Sequence, residues 1–250
     1  MTRRRGAPRP PLGLISGPPL TPLLVHVPHD ATIIPPDEHA DYLLSEEALR
    51  AESLRLTDAH TAALYAEGLP PEDFVRAEVS RLVVDVERFA DDAQEPCARV
   101  GMGATYVRTA DGRPLRALTP ERRAELMARH YWPHHHRLDA SAAARLARFG
   151  RCLVLDAHSY PTGPLPTQLA FGPSPEIGIG TQPGHTPPAL RDLAVDFCGA
   201  ATDLGRNSQA LDAAVSEGRA LRDRRALTTQ LATAFPLVGV APAGTPWAWG

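Results

Sequence analysis

Two short apolar segments of this chain end in the same way, and together they limit the folds open to it. Residues 23–27 (LLVHV) have the pattern of a buried strand and are followed by Pro-His29-Asp; residues 152–156 have the same pattern and are followed by Ala-His158-Ser. Buried strands more often end in turn residues such as glycine or asparagine. Titratable side chains at the carboxyl ends of strands are typical of open α/β sheets, whose chemistry lies at that edge. The pair predicts a sheet with a site at its carboxyl edge.

The rest of the chain alternates between strand and helix patterns. Further strands are expected over 78–88 (EVSRLVVDVER) and 175–181 (PEIGIGT). Helices are expected within 45–65 with Ser45 as a cap, over 119–131 with Thr119 as N-cap and a break at Pro133, from about 135 to 149 with Gly150 after its end, and over 185–200. Alternating strands and helices predict an α/β fold whose sheet is covered by helices on both faces.

The composition excludes several classes of partner. The chain has 250 residues and a net charge of −3, which favours neither nucleic acid nor an anionic membrane as a partner. No apolar run approaches the ~20 residues of a membrane span. Its three cysteines are widely spaced and form no Cys-x-x-Cys pair, which indicates reduced thiols in a cytoplasmic protein. The basic, proline-broken residues 1–21 are interpreted as a flexible leader.

The two histidines at the strand ends raise the question of a metal. Two imidazoles and one carboxylate are the ligand set of a catalytic zinc that keeps a position open for water. Alternatively, His29 and His158 each cap a strand or bind a loop carbonyl. Asp156 precedes His158 by two residues and points to the same side of an extended segment, so it either orients an imidazole or satisfies backbone donors near the strand end.

Seven segments, in their order along the chain, resemble those of the N-formylglutamate amidohydrolase family: VPHDATIIPP, TDAHTAALY, SRLVVDVER, HYWPHHHRL, LVLDAHS, PEIGIGT and HTPPAL. The resemblance covers residues 23–198. It implies a three-layer α/β fold similar to that of zinc carboxypeptidases, with a mixed sheet and helices on both faces. It also implies one zinc ion and hydrolysis of an N-acyl amino acid, in particular N-formyl-L-glutamate to formate and L-glutamate in histidine breakdown.

The resemblance also assigns the zinc ligands. The histidine of the family's Pro-His motif is His29, and that of its Asp-x-His-Ser motif is His158. The acidic ligand falls at Asp58 in TDAHT, with Glu38 and His60 as alternatives. Asp58 has a second interpretation, as a cap of the helix that follows it. A bound zinc would lower the pKa of its water towards ~7.

Two arginines and a histidine complete the predicted site. Arg81 and Arg88 are expected to bind the substrate carboxylates, since guanidinium groups pair with carboxylates bidentately; either arginine alternatively lies on the surface or pairs with Asp85. Glu87 stands where the family pattern often has Asn, a departure that bears on pocket polarity. By the resemblance, His135 polarises the scissile carbonyl or holds substrate.

The neighbours of His135 are expected to have no such role. Four histidines lie within residues 130–136. Among them, His134 and His136 are interpreted as a solvated surface turn that picks up metal without catalytic purpose.

The resemblance ends before the chain does. Residues 22–199 form the family-like domain, whereas 200–250 are a divergent segment, helical or disordered. The glycine-rich turn and final strand that carry the family's general-base glutamate are not found there, and Glu217 lacks that setting. Either the segment is altered, for instance by a frameshift, or this is a divergent member. The rival function is therefore a catalytically impaired relative that binds metal or amino acids; another acyl-amino-acid hydrolase on the same scaffold is a further alternative.

Overall fold

A parallel sheet forms the centre of the computed structural model, which describes residues 20–159 and 186–204. Its strands are β1 (Leu23–Val27), β2 (Phe74–Arg76) and β3 (Leu153–Asp156), in the order β2-β1-β3. Both pairings are parallel. The predicted α/β class and the strands at 23–27 and 152–156 are confirmed. The predicted strand at 175–181 lies outside the described residues, and the strands within them include no antiparallel neighbour of the kind expected in a mixed sheet.

Helices form the other regular elements of the described chain. They are α1 (Glu46–Leu56), α2 (Thr61–Tyr65), α3 (Pro120–Leu126), α4 (Trp132–Phe149) and α5 (Pro188–Leu204), with 3-10 helices at Pro36–Asp41, Pro71–Asp73 and Pro96–Val100. The predicted ends of these helices are confirmed where they rest on local chemistry. The hydroxyls of Ser45 and Thr119 accept hydrogen bonds from backbone N–H groups in the first turns of α1 and α3. Gly150 follows the last residue of α4 and has a φ of +66°.

Strand β1 is buried because helices pack against both of its faces. Leu23, Val25 and Val27 pack with α2, which contributes Ala62 and Tyr65. Leu24, on the other face, packs with Val75 of β2 and with Leu138 and Ala142 of α4. Successive strand side chains point to opposite faces, so a strand covered on both sides reads as a continuous apolar run.

The predicted strand at 78–88 is wrong. The backbone there forms turns: the N–H of Val83 donates to the carbonyl of Ser80, and the N–H of Arg88 to that of Asp85. The short strand of this region lies earlier, at Phe74–Arg76, where no strand was predicted.

The apolar pattern of residues 78–88 predicted a strand, but backbone carbonyls of this segment accept hydrogen bonds from side chains and not from a neighbouring strand. Leu82 and Val83 are fully buried. The hydroxyl of Tyr42 donates to the carbonyl of Leu82, and the guanidinium of Arg116 donates to that of Val83. Buried backbone groups need hydrogen bonds, and here side chains distant in the sequence supply them.

The predicted helix break at Pro133 is also wrong. A π-helical turn, Met127–Tyr131, joins α3 directly to α4, and the N–H of Trp132 donates to the carbonyl of Met127. This wider turn places Pro133 in the first turn of α4. Proline has no N–H and is tolerated where the regular hydrogen-bond ladder is interrupted.

No helix in the described part of the chain combines the length and apolarity that crossing a bilayer requires. Cys97 and Cys152 are free thiols, as expected; the side chain of Cys198 lies outside the described residues.

Candidate metal centre

Two strand ends and one loop bring the candidate site together. His29 follows β1 and His158 follows β3, each two residues beyond the strand. Asp58 lies between α1 and α2. Its N–H donates to the carbonyl of His29 at 2.9 Å, and the N–H of Ala157 donates to that of His26 at 2.9 Å. These backbone bonds fix the three segments against one another at the carboxyl edge of the sheet.

The side chains of His29, Asp58 and His158 converge. One ligand atom from each lies within 4.8 Å of the others. The two imidazole centroids are 5.3 Å apart. Nδ1 of His158 lies 2.8 Å from Oδ2 of Asp58, and Nδ1 of His29 lies 3.8 Å from the same oxygen. The structure therefore gathers the three residues that the sequence put forward as ligands.

Glu38 and His60, the two alternatives to Asp58 as third ligand, lie outside this group. Glu38 is buried and binds Nε2 of His130 at 2.7 Å. His60 is the N-cap residue of α2 and is not part of the group. The carboxylate that caps α2 belongs to Asp30, which accepts from the N–H of Ala62, so the side chain of Asp58 is not needed for that role.

A buried carboxylate orients His29. Nε2 of His29 donates to Oδ1 of Asp85 at 2.8 Å, which turns Nδ1 towards Asp58. Asp85 is fully buried and also accepts from the guanidinium of Arg81 at 2.7 Å and the hydroxyl of Tyr106 at 2.7 Å. A carboxylate behind a histidine is the arrangement that fixes metal-binding imidazoles. Two nitrogens and one carboxylate supported in this way fit a zinc ion.

The electrostatics of the group favour positive charge at its centre. Burial would raise the pKa of Asp58, but hydrogen bonds from His158 and His29 lower it to about 2. Burial would lower the pKa of His158, but hydrogen bonds to Asp156, Asp58 and Glu87 raise it to about 12. The pKa of His29 is raised against the effect of burial, chiefly by the charge of Asp85. Without a metal, these carboxylates therefore favour the protonated form of their imidazoles.

Two more carboxylates border the group. Glu87 places Oε1 3.0 Å from Nε2 of His158 and Oε2 3.4 Å from Nδ1 of His29. Asp156 places Oδ1 2.8 Å from Nδ1 of His26 and Oδ2 3.5 Å from Nε2 of His158, so it contacts imidazoles as expected. Burial raises the pKa of Glu87. Sequence reasoning missed Glu87 as a neighbour of the candidate metal ligands, although its acidic side chain in place of Asn was the signal.

The two predicted substrate-binding arginines differ in availability. Arg81 is held by Asp85 through Nε at 3.1 Å and a terminal nitrogen at 2.7 Å, and its side chain is 14% exposed. Arg88 is 29% exposed and lies farther from its carboxylate partners, 3.5 Å from Asp85 and 3.9 Å from Glu95. The expected pairing with Asp85 is thus tight for Arg81, whereas Arg88 keeps more of its guanidinium open to a ligand.

The histidines of α4 are arranged differently from the prediction. His135 donates from Nε2 to the carbonyl of Val86 at 2.9 Å, and burial lowers its pKa. The interpretation of His134 as a solvated residue is wrong: it is buried, its Nε2 lies 2.8 Å from Nε2 of His26, and burial lowers its pKa to about 2. Helix periodicity explains the difference, because α4 turns His134 towards β1 and leaves His136 exposed, as expected.

Known proteins share much of this sequence. The family model described as N-formylglutamate amidohydrolase matches residues 21–216. An N-formylglutamate deformylase of Pseudomonas aeruginosa is 37% identical over 189 residues, which cover 72% of this chain and 67% of that protein. One of Pseudomonas putida is 33% identical over 189 residues, with the same two coverages.

A solved structure is also similar. The crystal structure of an N-formylglutamate amidohydrolase from Ralstonia eutropha JMP134 matches with a TM-score of 0.49 and 26% identity, over 57% of this chain and 55% of that chain. The present chain therefore corresponds to little more than half of that solved protein.

Proposed function

Because this chain belongs to the N-formylglutamate amidohydrolase family, we propose that it hydrolyses the amide bond of an N-acyl amino acid, with N-formyl-L-glutamate as substrate and formate and L-glutamate as products. The observation that carries the proposal is the convergence of His29, Asp58 and His158 within 4.8 Å at the edge of the sheet. The proposed setting is histidine breakdown in the cytoplasm, and the partner is a small molecule.

The proposed cofactor is one zinc ion held by His29, Asp58 and His158. When bound, zinc supplies a Lewis acid that activates water and polarises an amide carbonyl at neutral pH. The chain's own contribution is orientation: Asp85 fixes the ring of His29, and Asp58 holds His158. The helices on both faces of β1 support the proposed three-layer architecture of the zinc carboxypeptidase type.

Substrate binding is assigned to Arg88 in the first place. The guanidinium of Arg88 has longer contacts with carboxylates of the protein than that of Arg81 has, so Arg88 pairs with a carboxylate of the substrate. Arg81 holds Asp85 in position. His135 is proposed to hold the substrate rather than to polarise the scissile carbonyl, because its Nε2–H already donates to the carbonyl of Val86.

The function is tested by formate release. Full-length protein loaded with zinc is incubated with N-formyl-L-glutamate, and formate is measured with a coupled dehydrogenase. We expect one formate for each glutamate formed, and much slower release of acetate from N-acetyl-L-glutamate. Zinc binding without turnover of either compound would contradict the proposal and support the rival function, a catalytically impaired protein that binds metal or amino acids.

Replacing Arg88 by methionine is expected to raise the KM for N-formyl-L-glutamate by about 10- to 100-fold, because a charge-assisted hydrogen bond contributes about 1.5–3 kcal/mol. Steady-state kinetics measure the change. Arg99→Met, at an exposed arginine of the 3-10 helix Pro96–Val100, is the matched control and should leave KM unchanged. An unchanged KM in Arg88→Met would remove Arg88 from substrate binding.

A further inference from the structure

A second set of ligand-type side chains lies directly beside the proposed zinc site. His26, Glu87 and Asp156 each bring one ligand atom within 4.8 Å of the others. His26 is buried in β1, and its register partner on β3 is Asp156. This pairing places Nδ1 of His26 2.8 Å from Oδ1 of Asp156. Neither His26 nor Asp156 is a ligand in the proposed zinc site.

The imidazole of His158 separates the two sets. Its Nδ1 faces Asp58 at 2.8 Å, whereas its Nε2 faces Glu87 at 3.0 Å and Asp156 at 3.5 Å. The two nitrogens of an imidazole point away from different edges of the ring. Glu87 and Asp156 therefore lie on the edge of His158 opposite Asp58, and an ion bound between them is distinct from one bound at Nδ1.

Glu87 reaches both sets. Its Oε2 lies 3.4 Å from Nδ1 of His29, a proposed zinc ligand, while Oε1 lies on the side of Nε2 of His158 and the carboxylate of Asp156. Paired ions about 3.5–4 Å apart are a recurring arrangement in metallohydrolases. The side chain is 15% exposed, so a shared carboxylate here would be shielded from bulk water.

His26 has a hydrogen-bond partner on the nitrogen that faces away from Asp156. Its Nε2 lies 2.8 Å from Nε2 of His134, which α4 presses against the sheet. A partner on the distal nitrogen fixes the ring and directs the other nitrogen towards a metal. Together, the two sets place three carboxylates, Asp58, Glu87 and Asp156, around the imidazoles of His26, His29 and His158. This is ample donor capacity for two ions.

We propose that the chain binds a second divalent transition-metal ion through His26, Glu87 and Asp156, with Glu87 shared between the two metals. The inference goes beyond the proposed function, which requires one ion only. Nitrogen and carboxylate donors suit zinc, and zinc is the probe for the test.

The experiment counts bound zinc. Metal-free full-length protein, prepared with a chelator, is titrated with Zn²⁺ by calorimetry, and the metal retained after gel filtration is measured by mass spectrometry. We expect two equivalents in the unaltered protein. Glu87→Gln and Asp156→Asn should each keep one tight equivalent and weaken the second at least about tenfold, because each loses an anionic donor.

Two further variants separate this inference from the proposed function. Asp58→Asn should weaken the first equivalent and keep the second. Glu125→Gln, at a surface glutamate with 49% side-chain exposure, is the matched control and should bind two equivalents as before. Circular dichroism of each metal-free variant verifies folding.

Several results would overturn the second site. One equivalent in the unaltered protein, retained by Glu87→Gln, would remove it and leave the proposed function intact. Two equivalents unaffected by both Glu87→Gln and Asp156→Asn would place the additional ion elsewhere. Loss of every equivalent from folded Glu87→Gln would assign Glu87 to a single-metal site, and absence of zinc from the unaltered protein would end both proposals.

Discussion

The His158→Ala variant is expected to release formate from N-formyl-L-glutamate about 10³-fold more slowly than the unaltered protein, or slower still. The Lewis acidity of a catalytic metal is worth several kcal/mol of transition-state stabilisation, and each 1.4 kcal/mol is about a factor of ten. The side chain of His158 is 37% exposed, so its removal leaves no large cavity and the fold should persist. Turnover and bound zinc are measured on the same preparation.

His136→Ala provides the matched control, because it removes an exposed imidazole from α4 and leaves His29, Asp58 and His158 in place. It should keep both zinc and activity. Full zinc content and normal turnover in His158→Ala would exclude the proposed ligand set. Loss of zinc from His136→Ala alone would point to the histidine-rich segment of α4 as the metal site instead.

Replacing Asp85 by alanine is expected to lower the free energy of unfolding by about 3–5 kcal/mol, the usual result of removing one partner of a buried ion pair. Asp85 is fully buried and accepts from His29, Arg81 and Tyr106. Its loss leaves the Arg81 guanidinium without its main counter-charge. Urea unfolding of the metal-free protein, followed by circular dichroism, measures the change.

The same substitution should also weaken zinc binding by about 10- to 100-fold, since His29 loses the carboxylate that orients it. Asp92→Ala is the control: this aspartate forms a surface ion pair with Arg123 and is 54% exposed, so its loss should cost no more than about 1 kcal/mol. A similarly small cost for Asp85→Ala would show that the buried network contributes little to the fold.

The sequence by itself determined the features that depend on near neighbours or on the rules of parallel sheets. The caps at Ser45 and Thr119 and the glycine at 150 act within one helical turn, so their residue types suffice to predict them. His29 and His158 follow apolar strands, and parallel strands bring their carboxyl ends to one edge. The meeting of these two histidines could therefore be predicted although 128 positions separate them (158 − 29 − 1).

Only the tertiary structure decided the features that depend on partners far along the chain. Residues 78–88 have the apolar pattern of a strand. However, the side chains of Tyr42 and Arg116 donate hydrogen bonds to backbone carbonyls of this segment, and the backbone forms turns around Asp85. The same turns bring Glu87 to His158, and packing of α4 on the sheet joins His134 to His26. A hydrophobic pattern predicts that a segment is buried. Hydrogen bonds between residues distant in the sequence decide the conformation of its backbone and which polar groups come into contact.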